Sequence, residues 1–356
     1  MTEYMKGLVK EEAAPGPFRW REDLPVPAPG PDEVLIRVHV AALCGTDLHI
    51  MEWDEWTRNW AKAPFIPGHE ICGEIVALGS DVTQRKVGDR VSCESHIACQ
   101  HCAACASGME QICENLRLFG VSEDGGFAEY AKVRWDVTYV IEDPSIPDET
   151  AVLFEPMGAG VHGVEKAEVA GKNVLISGCG SIGLTAVAAA KTFGAQQVIV
   201  CDLIDEKLAI AEKMGADVTL NAGREDVAEA VRRLTGGRGA DAAIDITGSQ
   251  QAITAAVKAL RSGGRFVGVG LPTREIHLDL ANDVFYREVE VTGISGRLIW
   301  KTWDDFAKVM AGPYFRSEYV LGGKYPMRDI DRAVEAVRSG VPGKMLLYPD
   351  VPPAEV

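Results

Sequence analysis

Four cysteines lie close together in the segment CQHCAACASGMEQIC, at Cys99, Cys102, Cys105 and Cys113. Four thiolates at this spacing suit a tetrahedral zinc ion with no position left open for chemistry. A bacterial ferredoxin cluster needs a shorter third gap followed by proline, whereas here seven residues separate the last two cysteines and Glu114 follows. The spacing therefore predicts a structural zinc lobe over residues 99–113, with His101 in solvent and Cys93 outside the site.

A second set of metal-binding residue types is dispersed along the chain. Cys44 precedes Gly45 after a strand-like run, His69 and Glu70 lie in PGHEICGE, and Glu155 lies in an apolar segment before a proline. Zinc accepts such a mixed set of sulfur, nitrogen and oxygen ligands, and a catalytic zinc keeps one position open. Each residue also has a structural interpretation, as packing, a core histidine or a helix cap, and the spacing does not decide between the two.

A glycine triplet, Gly178-x-Gly180-x-x-Gly183, lies between the apolar run NVLIS and the helix-like LTAVAAAKTFGA. That context is typical of a dinucleotide site: the first glycine allows a tight turn, the second a close approach of the pyrophosphate, and the third helix–strand packing. Asp202 ends the next strand-like run. A carboxylate there binds ribose hydroxyls and repels a 2′-phosphate, which favours NAD over NADP, although Lys207 lies nearby. The alternative is a structural turn with a solvated aspartate.

The elements that position these residues fall into two groups. The first 150 residues read mostly as β-strands separated by Gly and Pro turns. From Gly171 onward short apolar runs alternate with helix-like segments, and about six such runs between 173 and 294 predict a doubly wound parallel sheet. The expected fold is α/β, with a β-rich catalytic domain at 1–157, a dinucleotide domain at 158–296 and a return to the first domain at 297–356.

Composition narrows the range of partners. The 356 residues carry a formal net charge of −16, which argues against nucleic acid or an anionic membrane. No apolar run reaches bilayer length and the start lacks the apolar segment of a signal peptide, so the cytoplasm is the expected compartment. Thiols stay reduced there, and the nine cysteines indicate metal ligands or packing rather than disulfides.

Several motifs occur together in a characteristic order: CGTDLH, PGHEICGEIVALG, VGDRV, the four-cysteine lobe and GCGSIG. This order resembles that of the zinc-dependent medium-chain alcohol dehydrogenases, which implies a GroES-like catalytic domain and a Rossmann coenzyme domain. Within that superfamily CGTDLHIMEWDEW, ESHIACQHC and AVRSGVPGKMLL are most similar to L-threonine 3-dehydrogenases. Such enzymes oxidise L-threonine to 2-amino-3-ketobutyrate with NAD and are typically homotetramers.

The resemblance implies a role for particular residues. The catalytic zinc would be bound by Cys44, His69 and Glu155, with Glu70 ligating alternately, and Thr46 and His49 would form a proton relay from the alcohol to solvent. His96 would lie near the substrate. The nicotinamide and adenosine contacts would come from Ile182, Asp202, Lys207, Val269, Gly270, Leu271, Ile294 and Ser295, beside the three glycines.

The substrate stays open at this point. The segment GAGVHG from Gly158 resembles the sorbitol and butanediol dehydrogenase branch, which shares the fold, the zinc and the relay. Three functions are therefore considered: L-threonine oxidation, oxidation of a polyol, sugar or diol, and nucleotide binding without catalysis. Asp47 is interpreted as a turn residue. Carboxylates at Glu52, Asp54 and Glu55 either attract a substrate ammonium group or form a solvated face.

Overall fold

The computed structural model describes residues 3–349, which divide into two compact units. The first unit comprises the chain up to Glu155 and again from Leu321, and the second is Pro156–Val320. The first division lies close to the predicted one, but the chain returns at Leu321 rather than at residue 297. The reason is a helix after Gly296 that packs within the second unit.

The first unit is rich in β-structure. Its first part contains strands β1 (Tyr4–Val9), β2 (Arg19–Pro25), β3 (Glu33–Ala42), β4 (Glu70–Leu78), β5 (Arg90–Cys93), β6 (His96–Ile97), β7 (Arg117–Leu118), β8 (Tyr130–Arg134) and β9 (Thr138–Val140). Its helices are short: α1 (Gly45–Glu52), α2 (Glu55–Trp60), α3 (Ala103–Ala106) and α4 (Asp148–Ala151). Helix α5 (Phe154–Ala167) then carries the chain across the division.

The second unit alternates strand and helix. Its elements are β10 (Asn173–Ser177), α6 (Ser181–Thr192), β11 (Gln197–Asp202), α7 (Asp205–Lys213), β12 (Val218–Asn221), α8 (Val227–Leu234), β13 (Ala240–Asp245), α9 (Gln250–Ala259), β14 (Leu260–Gly268), β15 (Glu290–Gly293) and α10 (Lys301–Ala311). A π-helical turn (Leu280–Val284) and a 3-10 turn (Phe285–Arg287) precede β15. The chain returns to the first unit with β16 (Leu321–Pro326), α11 (Ile330–Arg338) and β17 (Lys344–Tyr348).

The sheet of the second unit is parallel throughout. Within the described residues its strand order is β12-β11-β10-β13-β14-β15. Numbered from β10, this is the order 3-2-1-4-5-6 of a doubly wound dinucleotide fold. Strand β10 is buried at every residue, as expected for a parallel strand covered by helices on both faces. Helix α10 packs on α6, which explains why residues 297–320 belong to this unit.

The main sheet of the first unit is mostly antiparallel. Within the described residues its order is β16-β17-β3-β4-β5-β9, and β8 pairs with β3. The central strand β3 contributes Val34, Ile36 and Val38 to one apolar core. Strand β17 pairs with one edge of β3 and β4 with the other, so residues from three distant chain segments meet at the end of β3.

Within residues 3–349, none of the helices combines the length and the apolar character needed to cross a membrane.

Candidate active site

The dispersed metal-binding residues meet at the end of β3. Ala42 pairs with Glu70, the first residue of β4, so Cys44 and His69 come together just beyond the paired strands. Ligand atoms of Cys44, His69 and Glu70 all lie within 4.8 Å of one another. Strand register therefore joins donors that are 25 residues apart in the chain.

The buried donor atoms of this cluster fit a zinc ion. Among the described residues, His69 Nδ1, Glu70 Oε2 and Asp47 Oδ1 are buried without a hydrogen-bond partner. Such atoms destabilise the fold unless something else satisfies them. A cation that takes sulfur, nitrogen and oxygen ligands would bind the thiol and the carboxylate, as zinc does.

Lys344 is a member of the site that the sequence reasoning missed. It begins β17, is buried, and its Nζ forms an ion pair with Glu70 Oε1 and donates to the Leu43 carbonyl at 3.3 Å. The sequence feature that could have identified Lys344 is its position, as a charged residue, at the start of the apolar run KMLLY. Glu70 therefore has one oxygen held by an ammonium group and one without a protein partner.

These charges shift the pKa values of the cluster. Burial alone would raise the pKa of the Cys44 thiol, but the Lys344 and His69 charges reverse this and hold it at about 6. Burial raises the pKa of Glu70 to about 8 against the opposing charge of Lys344. Burial would lower the pKa of His69, yet the neighbouring Cys44 thiolate raises it to about 10. Cys44 is thus a thiolate at neutral pH, the form that binds metal.

Asp47 has the turn role predicted for it, since it lies in the first turn of α1. It also faces the cluster of Cys44, His69 and Glu70. Its Oδ2 accepts a hydrogen bond from the Cys44 N–H at 2.8 Å, which closes the first turn of α1. Its Oδ1 lies 3.9 Å from His69 Nδ1, and burial raises its pKa to about 6. At 3.9 Å the two atoms are not hydrogen-bonded, and Asp47 acts on His69 through its charge, which raises the pKa of the imidazole.

Glu155 is buried beside the same cluster. It lies in the first turn of α5, and its charge acts on His69, Glu70 and Lys344. The set of atoms within 4.8 Å is nevertheless Cys44, His69 and Glu70. Glu155 as a ligand, and Glu70 as its alternate, stay predictions.

The predicted relay residues both lie on α1. Thr46 Oγ1 lies 3.6 Å from Cys44 Sγ, next to the metal cluster. His49 lies one turn further on, and its Nδ1 contacts Asp54 Oδ2 at 2.6 Å. The predicted substrate residue His96 begins β6, where its Nδ1 lies 2.8 Å from Oε1 of Glu94.

The four-cysteine lobe forms a separate cluster around α3. The ligand atoms of Cys99, Cys102, Cys105 and Cys113 lie within 4.8 Å of one another, with Cys102 Sγ 3.4 Å from Cys105 Sγ and 3.8 Å from Cys113 Sγ. The Cys99 and Asn115 N–H groups donate to Cys113 Sγ at 3.2 and 3.3 Å. His101 is exposed and bonds the Cys99 carbonyl instead. The donor set is that of a closed zinc site.

The glycine loop of the second unit has the predicted geometry. Gly178 has φ +100, where a side chain would be strained. Gly180 caps α6 with open space around its Cα, and a Cβ on Gly183 would lie 1.9 Å from the Gly178 carbonyl oxygen. The loop is therefore tight, and the helix N-terminus is accessible to phosphate.

A cavity of about 860 Å³ lies at the carboxyl edge of this sheet. Gly178 and Asp202 line it, together with residues that the sequence reasoning did not single out: Glu225, Thr247, Ser249 and Gln250. Asp202 Oδ2 accepts from the Cys179 N–H at 2.7 Å, which holds the carboxylate against the glycine loop. The size and lining suit the adenosine half of a dinucleotide.

The other predicted cofactor residues fall at the same edge or nearby. Val269, Gly270 and Leu271 follow β14, Ile294 and Ser295 follow β15, and these two strands are neighbours. Ile182 lies in the first turn of α6 and Lys207 in α7. Lys207 is not among the residues that line the cavity.

Known proteins are similar to this chain in both sequence and fold. The alcohol dehydrogenase GroES-like domain matches residues 30–143, and the zinc-binding dehydrogenase domain matches residues 181–312. An L-threonine 3-dehydrogenase from Symbiobacterium thermophilum is 41% identical over 352 residues, which is 99% of each chain. Galactitol-1-phosphate dehydrogenase from Escherichia coli has a TM-score of 0.87 at 29% identity, with 97% of this chain and 100% of that one covered.

One further solved structure bears on the cofactor. A zinc-binding dehydrogenase from Sinorhizobium meliloti 1021, bound to NADP, has a TM-score of 0.87 at 28% identity and covers 98% of this chain and 100% of its own. The predicted fold class, a GroES-like unit with a Rossmann unit, is confirmed, and so is the expectation of a zinc- and NAD-dependent dehydrogenase. The chain belongs to the zinc-dependent medium-chain alcohol dehydrogenase family.

Proposed function

We propose that this enzyme oxidises the 3-hydroxyl of L-threonine with NAD, giving 2-amino-3-ketobutyrate. The single observation that supports this substrate best is the 41% identity to an L-threonine 3-dehydrogenase over 99% of both chains. The cluster of Cys44, His69 and Glu70, in which the histidine and the carboxylate are buried, would supply the metal site for alcohol oxidation.

Two zinc ions per chain are proposed, with different roles. Cys44 and His69, with Glu155 and alternately Glu70, would hold the catalytic ion, which when bound supplies Lewis acidity that lowers the pKa of an alcohol. The four lobe cysteines would hold the structural ion. Lys344 keeps one Glu70 oxygen engaged, so that the Glu70 carboxylate is positioned whether or not it ligates.

Proton transfer is assigned to Thr46 and His49. The Thr46 hydroxyl lies beside the metal cluster and can both accept and donate a proton. His49 is partly exposed, and an imidazole can both take up and release a proton, so it can pass the proton to solvent. NAD accepts the hydride, and the chain contributes its binding. Asp202 and the glycine loop would hold the adenosine ribose and the pyrophosphate.

A polyol or diol is the second candidate substrate. The segment GAGVHG from Gly158 and the structural similarity to galactitol-1-phosphate dehydrogenase favour it. Two of the three carboxylates considered as contacts for the ammonium group of L-threonine already have other partners. Glu52 lies 3.6 Å from Arg338, and Asp54 contacts His49. Glu55 is exposed, and His96 stays the proposed substrate contact.

A homotetramer in the cytoplasm is proposed as the working form. Within the described residues β15 is one of the two edges of the parallel sheet, with Val291 exposed on it and Phe285 and Tyr286 exposed just before it. An exposed sheet edge with apolar side chains is a template for pairing with a second copy. All nine cysteines are free thiols in the fold, as suits a reducing compartment.

The test is NAD reduction by the zinc-loaded enzyme across L-threonine, L-serine, sorbitol, butanediol and glucose, repeated with NADP. We expect the highest kcat/KM with L-threonine and NAD. A higher kcat/KM for an uncharged polyol or diol would reject L-threonine in favour of the second candidate. No reduction with any alcohol, in protein carrying both zinc ions, would reject the catalytic function itself.

A further inference from the structure

We propose that Asp54 is a positioning residue that holds His49 in the one tautomer able to accept the relayed proton. The inference rests on the proposed function, in which His49 is the outer member of the relay. Asp54 has no assigned role in that proton relay. In the sequence it belongs to a run of carboxylates that either attract a substrate ammonium group or form a solvated face.

The two oxygens of Asp54 have different partners. Asp54 is the N-cap of α2, and its Oδ1 accepts from the Thr57 N–H at 2.9 Å and from the Thr57 hydroxyl at 3.0 Å. Its Oδ2 is directed at His49 Nδ1, 2.6 Å away. Capping the helix uses only the first oxygen. The contact with His49 is therefore a separate function of the same side chain.

The short turn between α1 and α2 makes this contact possible. Trp53 ends α1 in the left-handed region at φ +49, and the Asp54 N–H returns to the His49 carbonyl at 3.4 Å. Arg58 donates to the Trp53 carbonyl at 2.9 Å, which braces the turn. The Trp56 ring lies against the imidazole, with centroids 6.4 Å apart. The imidazole is thus bound through one nitrogen and has a tilted indole ring beside it.

The chemistry of a carboxylate decides which nitrogen carries the proton. Burial would raise the pKa of Asp54, but the Thr57 N–H and the His49 ring hold it below its usual value, so it is ionised at neutral pH. An ionised carboxylate can only accept hydrogen bonds. His49 must therefore present Nδ1–H to Asp54, which leaves Nε2 of the neutral ring as the free base.

The other charged groups near His49 do not compete for it. Glu52, on the next turn of α1, lies 3.6 Å from Arg338 of α11. Asp54 is the carboxylate in contact with the ring. The His49 side chain is 42% exposed, so a proton that reaches Nε2 can pass on to water. Without Asp54, water would let the ring exchange between its two tautomers.

Asp54→Asn separates the two functions of Asp54. The asparagine oxygen keeps the cap to Thr57, while its NH₂ group can only donate toward His49. His49 Nδ1 then becomes an acceptor, and its proton moves to Nε2, where it blocks the relay. We expect kcat to fall about 10- to 100-fold with little change in KM, and added imidazole to restore part of the loss as an external base.

The matched control Thr57→Val removes the hydroxyl bond to Asp54 and leaves the His49 contact, so its kcat should stay near wild type.

A double-mutant cycle with His49→Gln tests whether Asp54 acts through His49. If it does, Asp54→Asn adds no further loss in the His49→Gln enzyme. An equal loss in both backgrounds would overturn the proposal, because Asp54 would then act elsewhere, for example on a substrate ammonium group.

A readout independent of activity is solid-state ¹⁵N NMR of the histidine-labelled protein, with the His49 signals identified by their absence in His49→Gln. We expect Nδ1 protonated in the wild type and Nε2 protonated in Asp54→Asn. The same tautomer in both proteins would overturn the proposal. A wild-type enzyme with this tautomer but no activity on any alcohol would reject the proposed function and leave the Asp54–His49 assignment in place.

Discussion

The two cysteine-containing clusters of the first unit are built in opposite ways. The lobe draws four identical donors from residues 99–113, a single stretch of chain. The cluster at the end of β3 draws one sulfur from the segment after β3, one imidazole from the residue before β4 and one carboxylate from β4, with an ammonium group from β17. The lobe completes a closed shell from its own loop. The other cluster leaves Glu70 Oε2 buried without a partner among the described residues.

This difference is the one expected between a structural metal site and a reactive one. Four thiolates satisfy zinc fully and leave no position for a substrate. A mixed set with unmatched atoms and a nearby cation has charges that do not cancel, and its pKa values shift accordingly. The Lys344 and His69 charges lower the pKa of Cys44 to about 6 against the effect of burial, whereas burial raises the pKa of Glu70 to about 8.

The largest expected effect comes from Cys44→Ala. Removing one ligand of the mixed cluster should lower kcat/KM at least about 1000-fold, because the cluster no longer holds the catalytic zinc ion. Zinc analysis should show one ion per chain instead of two, with the lobe ion retained. Cys93→Ala, which alters a buried strand thiol outside both clusters, is the control. Full activity of Cys44→Ala would contradict the reactive role of this cluster.

Cys102→Ala tests the lobe in the same way and should act on stability instead. Loss of a thiolate from the closed shell should release the structural ion and lower the free energy of unfolding by about 2–5 kcal/mol, since metal binding contributes directly to folding. Denaturant unfolding and zinc content measure this. At temperatures where the variant stays folded, kcat/KM should fall less than about tenfold. A loss as large as that of Cys44→Ala would remove the distinction between the clusters.

The smallest expected effect is a shift in a pH profile. In protein stripped of metal, alkylation of Cys44 should become half-maximal near pH 6, because the thiol protonates below its folded pKa and loses reactivity as pH falls. Lys344→Met removes the charge that lowers the Cys44 pKa most, so the midpoint should move to higher pH by about one unit. Lys324→Met, which breaks an exposed pair with Glu149, should not move it. Peptide mass spectrometry of alkylated Cys44 gives the profile.

The parts of the site that follow from local spacing could be predicted from the sequence. The Cys99 to Cys113 spacing alone predicts the lobe, and the glycine triplet after NVLIS predicts the loop that Gly178 forms at φ +100. The doubly wound sheet follows from the rhythm of apolar runs, because every βα unit repeats the same burial pattern. Each of these depends on residues within about one or two elements of one another.

The partners that meet across strands could not be predicted in this way. Lys344 reaches Glu70 only because β17 and β4 flank the same end of β3, and no periodicity encodes that register. The predicted return at residue 297 and the division of the compact units at Leu321 differ for a related reason: α10 has the pattern of any amphipathic helix, and its packing on α6 is a long-range contact. Asp54 is near His49 in the chain, but its acceptor role depends on the left-handed turn at Trp53.

Residue types and local spacing by themselves predicted the four-cysteine zinc lobe and a glycine loop with an aspartate for a dinucleotide. The dispersed thiol, imidazole and carboxylates were identified as zinc ligands only through the family resemblance. The fold alone established which of these groups are buried together, which lack a protein partner, and which are held by a cation or an aspartate. The reason is physical. A side chain's type is set by one codon, whereas its pKa and tautomer depend on burial and on charges that strand pairing brings from distant parts of the chain.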